Sequence, residues 1–387
     1  MQFKIINKAI ILLVASLLLS GCDNRSYNEN VAQKEDYKTE YIDFNSDINI
    51  RKLKSVEKLP MEVQAHLSIQ PTFHNYYLFD TEIRDGYNFT KTVYSLDIKN
   101  DKVKKLKEFG DTFIISFVEY ENSFVYGELD GNTLKVIQEK DGKKKELAKA
   151  TIFDRFQFAP YFFVDDGKLL FLLTDTKQAE NGRDAHVTQT LYSYDDEKTE
   201  SLFQTDFEIK DGVTDENAEH LFSNRFHIQG DGNLAFLSSD SHKSYLYQYD
   251  GVKLRNIEVN NPNVDLLGYL DTYAILFDYK DSKYFVLNTE NKELEEFNLS
   301  MPIYYEQILN KTSLFFNDNK DKLWCLSVDK EGNLKLHELD KKIYDALGLK
   351  DAEDHTNFVF SDGDHLVLTQ QLPEKEYIYA YYILKFE

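Results

Sequence analysis

Proline and glycine are sparse in this chain, which has 6 prolines and 16 glycines in 387 residues. Collagen-like fibres and low-complexity disordered sequences both need far more of these two residues. Aromatic residues make up 14% of the chain and give it ample side-chain area to bury. The composition therefore excludes a fibrous or disordered protein and indicates a folded one.

The chain also lacks the short motifs of common catalytic sites. It has no Gly-x-Ser-x-Gly nucleophile elbow, no Gly-x-x-x-x-Gly-Lys phosphate loop and no His-Glu-x-x-His zinc motif. Its nine histidines do not lie at the spacings that bring two ligands together on one strand or helix face. We therefore predict no catalytic, cofactor-binding or metal-binding residue from the sequence.

Two metal hypotheses stay open as alternatives. Five histidines fall near predicted inner strands and could converge on one ion: His66, His74, His220, His227 and His355. Asp231-Gly232-Asn233 and Asp362-Gly363-Asp364 offer oxygens to calcium but lack the spacing of an EF-hand loop. Because both segments lie where a hairpin must turn, turn chemistry alone also explains them.

Positive charge is in deficit, since 45 Lys and Arg against 67 Asp and Glu give a net charge of −22. Such a surface repels phosphate backbones and anionic lipid headgroups. Lysines cluster within 102–107 and 143–145, but Asp97, Asp101 and Glu108 surround the first cluster and the second lies in a predicted turn. We interpret both clusters as solvated faces and predict no nucleic-acid partner. The acidic charge fits either solubility or a cationic partner.

The first 22 residues have the layout of a secretory signal peptide. Lys4 and Lys8 form a basic start, an apolar run covers 9–19, and small residues lead to Leu19-Ser20-Gly21-Cys22. The run is shorter than the roughly 20 apolar residues that span a bilayer. The Leu-Ser-Gly-Cys ending resembles the lipobox of bacterial lipoproteins. This resemblance implies cleavage before Cys22 and acyl chains on that cysteine, so Cys22 is the predicted lipidation site and a membrane the predicted partner.

Three segments follow from this prediction: a signal peptide at 1–21, a lipidated cysteine with a flexible tether at 22–38, and a folded domain at 39–387. The tether is polar and nearly free of aliphatic side chains. Cys325 would then have no partner, so no intrachain disulfide is predicted in the mature form. We interpret Cys325 as a buried side chain in a strand rather than a nucleophile.

The folded part repeats short strand patterns. The clearest unit, 112–149, contains four strand candidates separated by turn residues, among them Asp130-Gly131-Asn132. An apolar second strand recurs seven times, at 76–79, 124–126, 169–172, 234–237, 274–277, 314–316 and 366–368. A third strand rich in Tyr and Leu recurs at 93–97, 191–195, 246–250, 284–288, 323–327 and 378–382. Four strands in such a unit have the size of one β-propeller blade.

The seven repeats predict an all-β, seven-bladed β-propeller of four-stranded antiparallel blades. The last repeat ends with its third strand, and 40–44 has strand character without a repeat of its own. We expect 40–46 to pair beside 378–384 and close the ring, which removes an exposed edge. Residues 175–189 are expected to lengthen the third repeat and 340–348 to form a short helix. A pair of two-sheet sandwiches is the alternative fold.

Together the signal segment and the repeats make the chain similar to bacterial propeller lipoproteins of the broad seven-bladed group. It lacks the Gly-His and Trp-Asp pairs of WD repeats, the double glycines of kelch repeats and the Trp-ending motif of quinone-dependent propellers. The resemblance implies a lipid-anchored protein on the outer side of the cell membrane, and it assigns no named subfamily.

The predicted function is a membrane-anchored binding or scaffolding lipoprotein that presents a propeller face to a peptide, a glycan or an envelope complex. Aromatic segments predicted in or near loops, at 87–89, 161–163 and 304–305, could stack on such partners, but packing between blades is the favoured interpretation of each residue. An extracytoplasmic carbohydrate-active hydrolase or lyase is the alternative function. An accessory subunit of an exporter or envelope machine is a third.

Overall fold

A computed structural model describes residues 53–386, apart from several short stretches and three longer ones at 153–159, 210–226 and 339–355. The described residues form 28 strands, which pair into seven four-stranded antiparallel sheets. This part of the chain contains no helix that could cross a lipid bilayer. The predicted all-β class and the predicted four-stranded antiparallel sheets are therefore confirmed. The predicted signal peptide, tether and lipidation site lie outside the described residues.

The first strand, β1, covers Leu53–Gln64 and belongs to sheet 7. Sheets 1 to 3 follow in chain order. Sheet 1 consists of β2 (Ile69–Thr72), β3 (Asn75–Arg84), β4 (Tyr87–Asp97) and β5 (Lys102–Glu108). Sheet 2 consists of β6 (Phe113–Tyr120), β7 (Ser123–Asp130), β8 (Thr133–Lys140) and β9 (Lys143–Thr151). Sheet 3 consists of β10 (Tyr161–Asp165), β11 (Lys168–Gln178), β12 (Ala185–Tyr194) and β13 (Thr199–Ile209).

Sheets 4 to 7 complete the described chain. Sheet 4 consists of β14 (His227–Ile228), β15 (Leu234–Ser239), β16 (Ser244–Tyr249) and β17 (Leu254–Val259). Sheet 5 consists of β18 (Val264–Leu270), β19 (Tyr273–Asp278), β20 (Lys283–Asn288) and β21 (Leu294–Phe297). Sheet 6 consists of β22 (Tyr304–Leu309), β23 (Ser313–Asn317), β24 (Leu323–Val328) and β25 (Leu334–Glu338). Sheet 7 adds β26 (Thr356–Ser361), β27 (His365–Gln371) and β28 (Ile378–Phe386) to β1.

Each repeated strand motif occupies the same place in its sheet. All seven apolar segments lie in second strands, and all six Tyr- and Leu-rich segments lie in third strands. In β24, the four residues 323–326 are all buried. A third strand lies within a sheet that packs against its neighbours, which favours large apolar side chains at many of its positions.

Sheet 7 joins the two ends of the described chain. β1 runs antiparallel to β28, from Leu53 opposite Phe386 to Gln64 opposite Ile378. The strand beside β28 is therefore β1 rather than 40–44, which lies outside the described residues. The register shifts between Lys58 and Glu62, a stretch that contains Pro60. Proline is tolerated in a strand at such irregularities, but it obscures the alternation that would have marked β1 as a strand.

Two other predicted interruptions have different outcomes. Segment 175–189 lengthens sheet 3 as predicted, but much of it is strand, because β11 continues to Gln178 and β12 begins at Ala185. The two strands pair along their whole length, up to Gln178 opposite Ala185. The predicted helix at 340–348 lies outside the described residues.

Consecutive sheets share hydrophobic cores. One cluster of buried side chains extends over sheets 1 to 3, and three others join sheets 3 and 4, sheets 4 and 5, and sheets 5 and 6. Strand β22 of sheet 6 contacts β26 of sheet 7, and β1 of sheet 7 contacts β3 of sheet 1. Every sheet is therefore packed against the sheet that follows it.

Tyrosine hydroxyls link neighbouring sheets at the edges of these cores. The fully buried Tyr120 of sheet 2 donates to the carbonyl oxygen of Gly167 in sheet 3, at 2.8 Å. Tyr284 of sheet 5 accepts a hydrogen bond from the amide of Ile303, just before sheet 6, at 2.9 Å. Each ring fills the core while its hydroxyl reaches a backbone group of the next sheet. This dual role explains why tyrosine occupies positions 120 and 284.

The first strands of five sheets carry an irregularity that the sequence did not reveal. In β6, the register with β7 shifts between Ile114 and Ser116, and sheets 1, 5, 6 and 7 have equivalent shifts. Such bulges increase the local twist of a strand. In sheet 2 the bulge brings Ser116 so close to Gly127 that a Cβ atom there would lie 2.6 Å from Ser116 Oγ. Glycine at 127 is therefore required by close packing.

Candidate binding surface

The long strands of sheet 3 form an extension, which we define as residues 174–178, 185–190 and 204–208. β11, β12 and β13 have 11, 10 and 11 residues, whereas the strands of sheet 5 have 4 to 7. The extension lies at the end of the sheet where β11 connects to β12. It is positioned by its neighbour, because Asp175 Oδ1 accepts a hydrogen bond from the amide of Thr151 at the end of β9, at 2.6 Å.

One face of the extension is buried and the other is polar. Thr176 and Val187 are 6% and 0% exposed on the buried face. The polar face contains two cross-strand rows, Lys177–His186–Glu208 and Asp175–Thr188–Asp206. Three strands thus present donors and acceptors side by side on a flat surface. The alternation of residues 185–190 between these faces is the sequence signal for this surface, and it was missed.

Asp206 is the best-positioned group on the polar face. Its Oδ1 accepts a hydrogen bond from Thr188 Oγ1 at 2.6 Å, and its Oδ2 accepts one from Gln204 Nε2 at 3.2 Å. These two hydrogen bonds, together with the nearby charges of His186 and Lys177, hold the pKa of Asp206 below its ordinary value. The carboxylate therefore stays ionised and fixed in orientation, while about half of its side-chain surface remains exposed, 47%.

This arrangement suits binding better than catalysis. The Thr188 hydroxyl donates its hydrogen bond to the Asp206 carboxylate. His186 Nε2 lies 3.7 Å from the same carboxylate. Nucleophilic catalysis instead requires the imidazole to accept the hydroxyl proton. An ordered carboxylate beside an ammonium and an imidazole can hydrogen-bond the hydroxyls of a glycan or the amides of a peptide.

Cys325 and His337 lie opposite each other in sheet 6, in the manner of a thiol and its base. Their burial prevents them from acting as a nucleophile and its general base. Cys325 is 0% exposed, and desolvation raises its pKa to about 12. Burial also lowers the pKa of His337, whose Nε2 is buried without a hydrogen-bond partner among the described residues. Both groups are therefore neutral near pH 7, and the interpretation of Cys325 as a buried side chain agrees with this.

We expect Cys325 to be inert toward thiol reagents in the folded chain. Raising its pKa from the reference value of 9.0 to about 12 lowers the thiolate fraction near neutral pH by about a thousandfold. Iodoacetamide labelling followed by mass spectrometry should detect modification of Cys325 only after denaturation. Rapid labelling under native conditions would contradict the buried position of this thiol.

A second polar cluster, in sheet 5, has a structural role. Asp278 is 3% exposed, and its Oδ1 accepts hydrogen bonds from the amides of Lys280 and Asp281 at 2.9 and 3.0 Å. Its Oδ2 accepts one from Asn261 Nδ2 at 2.7 Å. Burial, followed by the charges of Asp265 and Asp278, raises the pKa of Tyr279. The cluster fixes the turn between β19 and β20 and the chain that enters β18.

One of the three aromatic segments, 161–163, supports the interpretation as packing between neighbouring sheets. Phe162 and Phe163 lie in β10 and are 5% and 8% exposed, so they belong to the cores of sheet 3. The other two segments, 87–89 and 304–305, lie at the beginnings of strands β4 and β22, which is compatible with their predicted position in or near loops. In β10, three consecutive aromatic residues hide the alternation of a strand, and Phe162 and Phe163 are both used in packing.

The structure tests only part of the two metal hypotheses, because it describes few of the residues concerned. His227 lies half-buried in β14, while His66, His74, His220 and His355 lie outside the described residues. The two Asp-Gly turns proposed for calcium lie outside them as well. Within the described part of the chain, no three side chains of His, Cys, Asp or Glu come close enough together to hold a metal ion.

No protein-family model matches the chain, and no curated protein sequence matches it. Solved structures that are similar to it include the Dos1 propeller, with 10% identity, a TM-score of 0.41 and coverage of 86% of this chain and 95% of that one. YCF48 bound to D1 peptide is 12% identical, with a TM-score of 0.43 and coverage of 87% and 99%. Hsv2 from Kluyveromyces lactis is 12% identical, with a TM-score of 0.42 and coverage of 77% and 86%. Likeness at this level carries no argument about function.

Proposed function

We propose that this protein is a membrane-anchored, extracytoplasmic binding lipoprotein whose seven sheets are the blades of one closed β-propeller. It would use the polar face of the sheet 3 extension to hold a peptide, a glycan or an envelope protein close to the membrane. The observation that carries the binding proposal is the ordered Asp206 carboxylate, which is fixed by Thr188 and Gln204 and yet exposed.

Two observations support the closed ring. Each sheet packs on the next, including the contact between β1 of sheet 7 and β3 of sheet 1. In addition, sheet 7 combines the first and the last described strands, so that neither is left as an open edge on that side. Closing the ring in this way is the standard solution to the exposed edges of an all-β repeat fold.

The membrane anchor rests on the sequence alone. The apolar run over 9–19 and the lipobox-like ending at Cys22 carry this part of the proposal. Acylation of the thiol and of the new amine would supply more than one chain, and stable membrane attachment needs at least two such signals. The propeller would then be held outside the cytoplasm by the polar segment that follows Cys22.

Site-specific photocrosslinking in cells tests the binding surface. A benzophenone side chain at Glu208, which is exposed on the polar face, should give adducts of defined mass with the partner. The matched control is Glu295, which is exposed on β21 and is likewise in the fourth strand of its sheet. Digestion of the adducts with a protease or a glycan hydrolase separates protein partners from glycans.

A second substitution connects the adducts to the polar face. Asp206→Ala should reduce crosslinking at 208 by roughly tenfold or more, since hydrogen bonds to a charged group contribute about 1.5–3 kcal/mol. Asp271→Asn, which removes an exposed carboxylate from the turn between β18 and β19 and keeps a residue that tolerates its positive φ of 57°, should leave the adducts unchanged. Equal adducts at 208 and 295, or adducts unaffected by Asp206→Ala, would refute the assignment of the surface.

A further inference from the structure

The outer strands of the sheets differ sharply in charge. β5 and β9, the fourth strands of the neighbouring sheets 1 and 2, each contain four lysines and one glutamate. β13 of sheet 3 contains three acidic residues and no basic one, and β21 of sheet 5 contains two and none. A chain with a net charge of −22 therefore concentrates positive charge on two adjacent outer strands, which we call the basic rim.

Much of this positive charge is not neutralised within the protein. Lys102, Lys143 and Lys149 are exposed and form no ion pair with any residue that the structure describes. Other rim lysines do have partners, such as Lys107, whose Nζ lies 2.6 Å from Glu139 Oε1 and links sheet 1 to sheet 2. The unpaired lysines leave the rim with charge available to an external group.

The rim also contains like-charged pairs. Lys143 of the rim lies directly opposite Lys140 of β8, and Lys149 of the rim lies opposite Lys135 of β8, whose Nζ is paired with Asp130 Oδ2 at 2.8 Å. Like charges at directly opposed positions destabilise a sheet. Local arrangements that lower stability are expected where function requires them. Two such pairs on one hairpin favour an anionic partner over a merely soluble surface.

We propose that the basic rim rests on the anionic headgroups of the membrane to which the protein is anchored, so that sheets 1 and 2 face the bilayer. This inference rests on the proposed anchor. β1, where the described chain begins, lies in sheet 7 and contacts β3 of sheet 1. The first described strand and the basic rim therefore lie on neighbouring sheets.

The net charge of the protein does not oppose this orientation at short range. At physiological ionic strength, charges more than about 8–10 Å apart are largely screened from each other. A surface therefore responds mainly to the lysines that touch it, even though sheet 3 lies close to the rim, where Lys145 Nζ donates a hydrogen bond to the carbonyl oxygen of Glu197 at 3.2 Å. The overall repulsion expected from the composition instead orients the molecule, because it turns β13 and β21 away from the headgroups.

Lysine footprinting of the full lipidated protein tests the orientation. The protein is reconstituted into vesicles of phosphatidylcholine alone and into vesicles that also contain phosphatidylglycerol, and exposed lysines are acetylated and counted by mass spectrometry. We expect labelling of Lys102, Lys143 and Lys149 to fall roughly threefold or more on the anionic vesicles at low salt. About 1 M salt, which shortens the screening length to about 3 Å, should restore it. Exposed lysines of sheets 3 to 5 serve as internal references: Lys168, Lys253, Lys280 and Lys292.

Matched variants separate rim charge from total charge. Replacing Lys102, Lys104, Lys143 and Lys149 by Gln should abolish the effect of phosphatidylglycerol on the labelling of Lys144, one of the four rim lysines that remain. The control replaces the four reference lysines by Gln, which changes the net charge equally and should leave rim protection intact. Equal rim labelling on both vesicle types would overturn the orientation while leaving the anchor standing.

If the proposed anchor is absent, the vesicle experiment gives a different result. A protein that does not remain with phosphatidylcholine vesicles lacks the proposed anchor. In that case, recruitment to anionic vesicles at low salt with protected rim lysines would still support the rim, and no recruitment would refute it.

Discussion

Replacing Cys22 with serine should abolish fatty-acid labelling of the protein and leave a precursor that retains residues 1–21. Serine has no thiol to carry an acyl chain, so processing that depends on acylation stops at this residue. Growth in radiolabelled palmitate, followed by purification and mass spectrometry, measures both effects. In the parent protein we expect a labelled chain that begins at Cys22, and in the variant an unlabelled, heavier chain.

Cys325 provides the matched control, because it is the other cysteine of the chain and is fully buried in sheet 6. Cys325→Ala should retain palmitate at the level of the parent. Palmitate in the Cys22→Ser chain, or an unmodified thiol on Cys22 of the parent, would rule out the predicted lipidation. The proposed binding surface would then need to act without the anchor.

Removing β1 should destabilise the whole domain. A chain that starts at residue 66 lacks the partner of β28, exposes one edge of sheet 7 and loses the contact between sheets 7 and 1. We expect it to aggregate or to melt roughly 10 °C or more below the parent, given about 2–4 °C per kcal/mol for domains of a few hundred residues. Thermal unfolding followed by circular dichroism measures the change.

A chain that starts at residue 51 tests whether β1 alone, or also segment 40–46, is needed to complete the fold. It lacks 40–46, the segment expected from the sequence to pair with 378–384, but retains all of β1. We expect it to unfold cooperatively at the temperature of the chain that starts at residue 23. A large loss of stability at this shorter deletion would mean that 40–46 contributes to the fold.

Most of the strand order could be predicted from the sequence, because burial on both faces imposes a strong composition. The segments at 191–195 and 246–250 repeat Tyr and Leu at fixed places, and they lie in β12 and β16 as third strands. Turn residues such as Gly131 and Gly142, with φ of 61° and 73°, separate the strands clearly.

The structural features that could not be predicted from the sequence depend on contacts between distant segments of the chain. Nothing in the sequence of β6 reveals that its register shifts at Ile114, because the bulge depends on how the strand meets β7. β1 was overlooked because Pro60 breaks its pattern. The burial of Phe162 and Phe163 agrees with the favoured packing interpretation, but a run of three aromatic residues does not indicate which neighbours cover it.

The candidate surface illustrates a further limit of the sequence. Thr188, Gln204 and Asp206 are ordinary polar residues in two separate strands, and no spacing rule connects them. Pairing of β12 with β13 places Thr188 opposite Asp206 and thus creates the fixed carboxylate. Only the pairing of the extended strands indicates that these side chains act together.

Sheet 7 combines the first and the last described strands, and this affects how the chain folds during synthesis. Partners in β1 and β28 are between 314 and 333 residues apart along the chain, so β1 cannot pair until β28 has been made. Contacts this distant form late and slow folding. Until then, the strands that will form sheet 7 keep an open edge that favours aggregation. A chain truncated before β28 retains this edge and is therefore more exposed to aggregation and degradation.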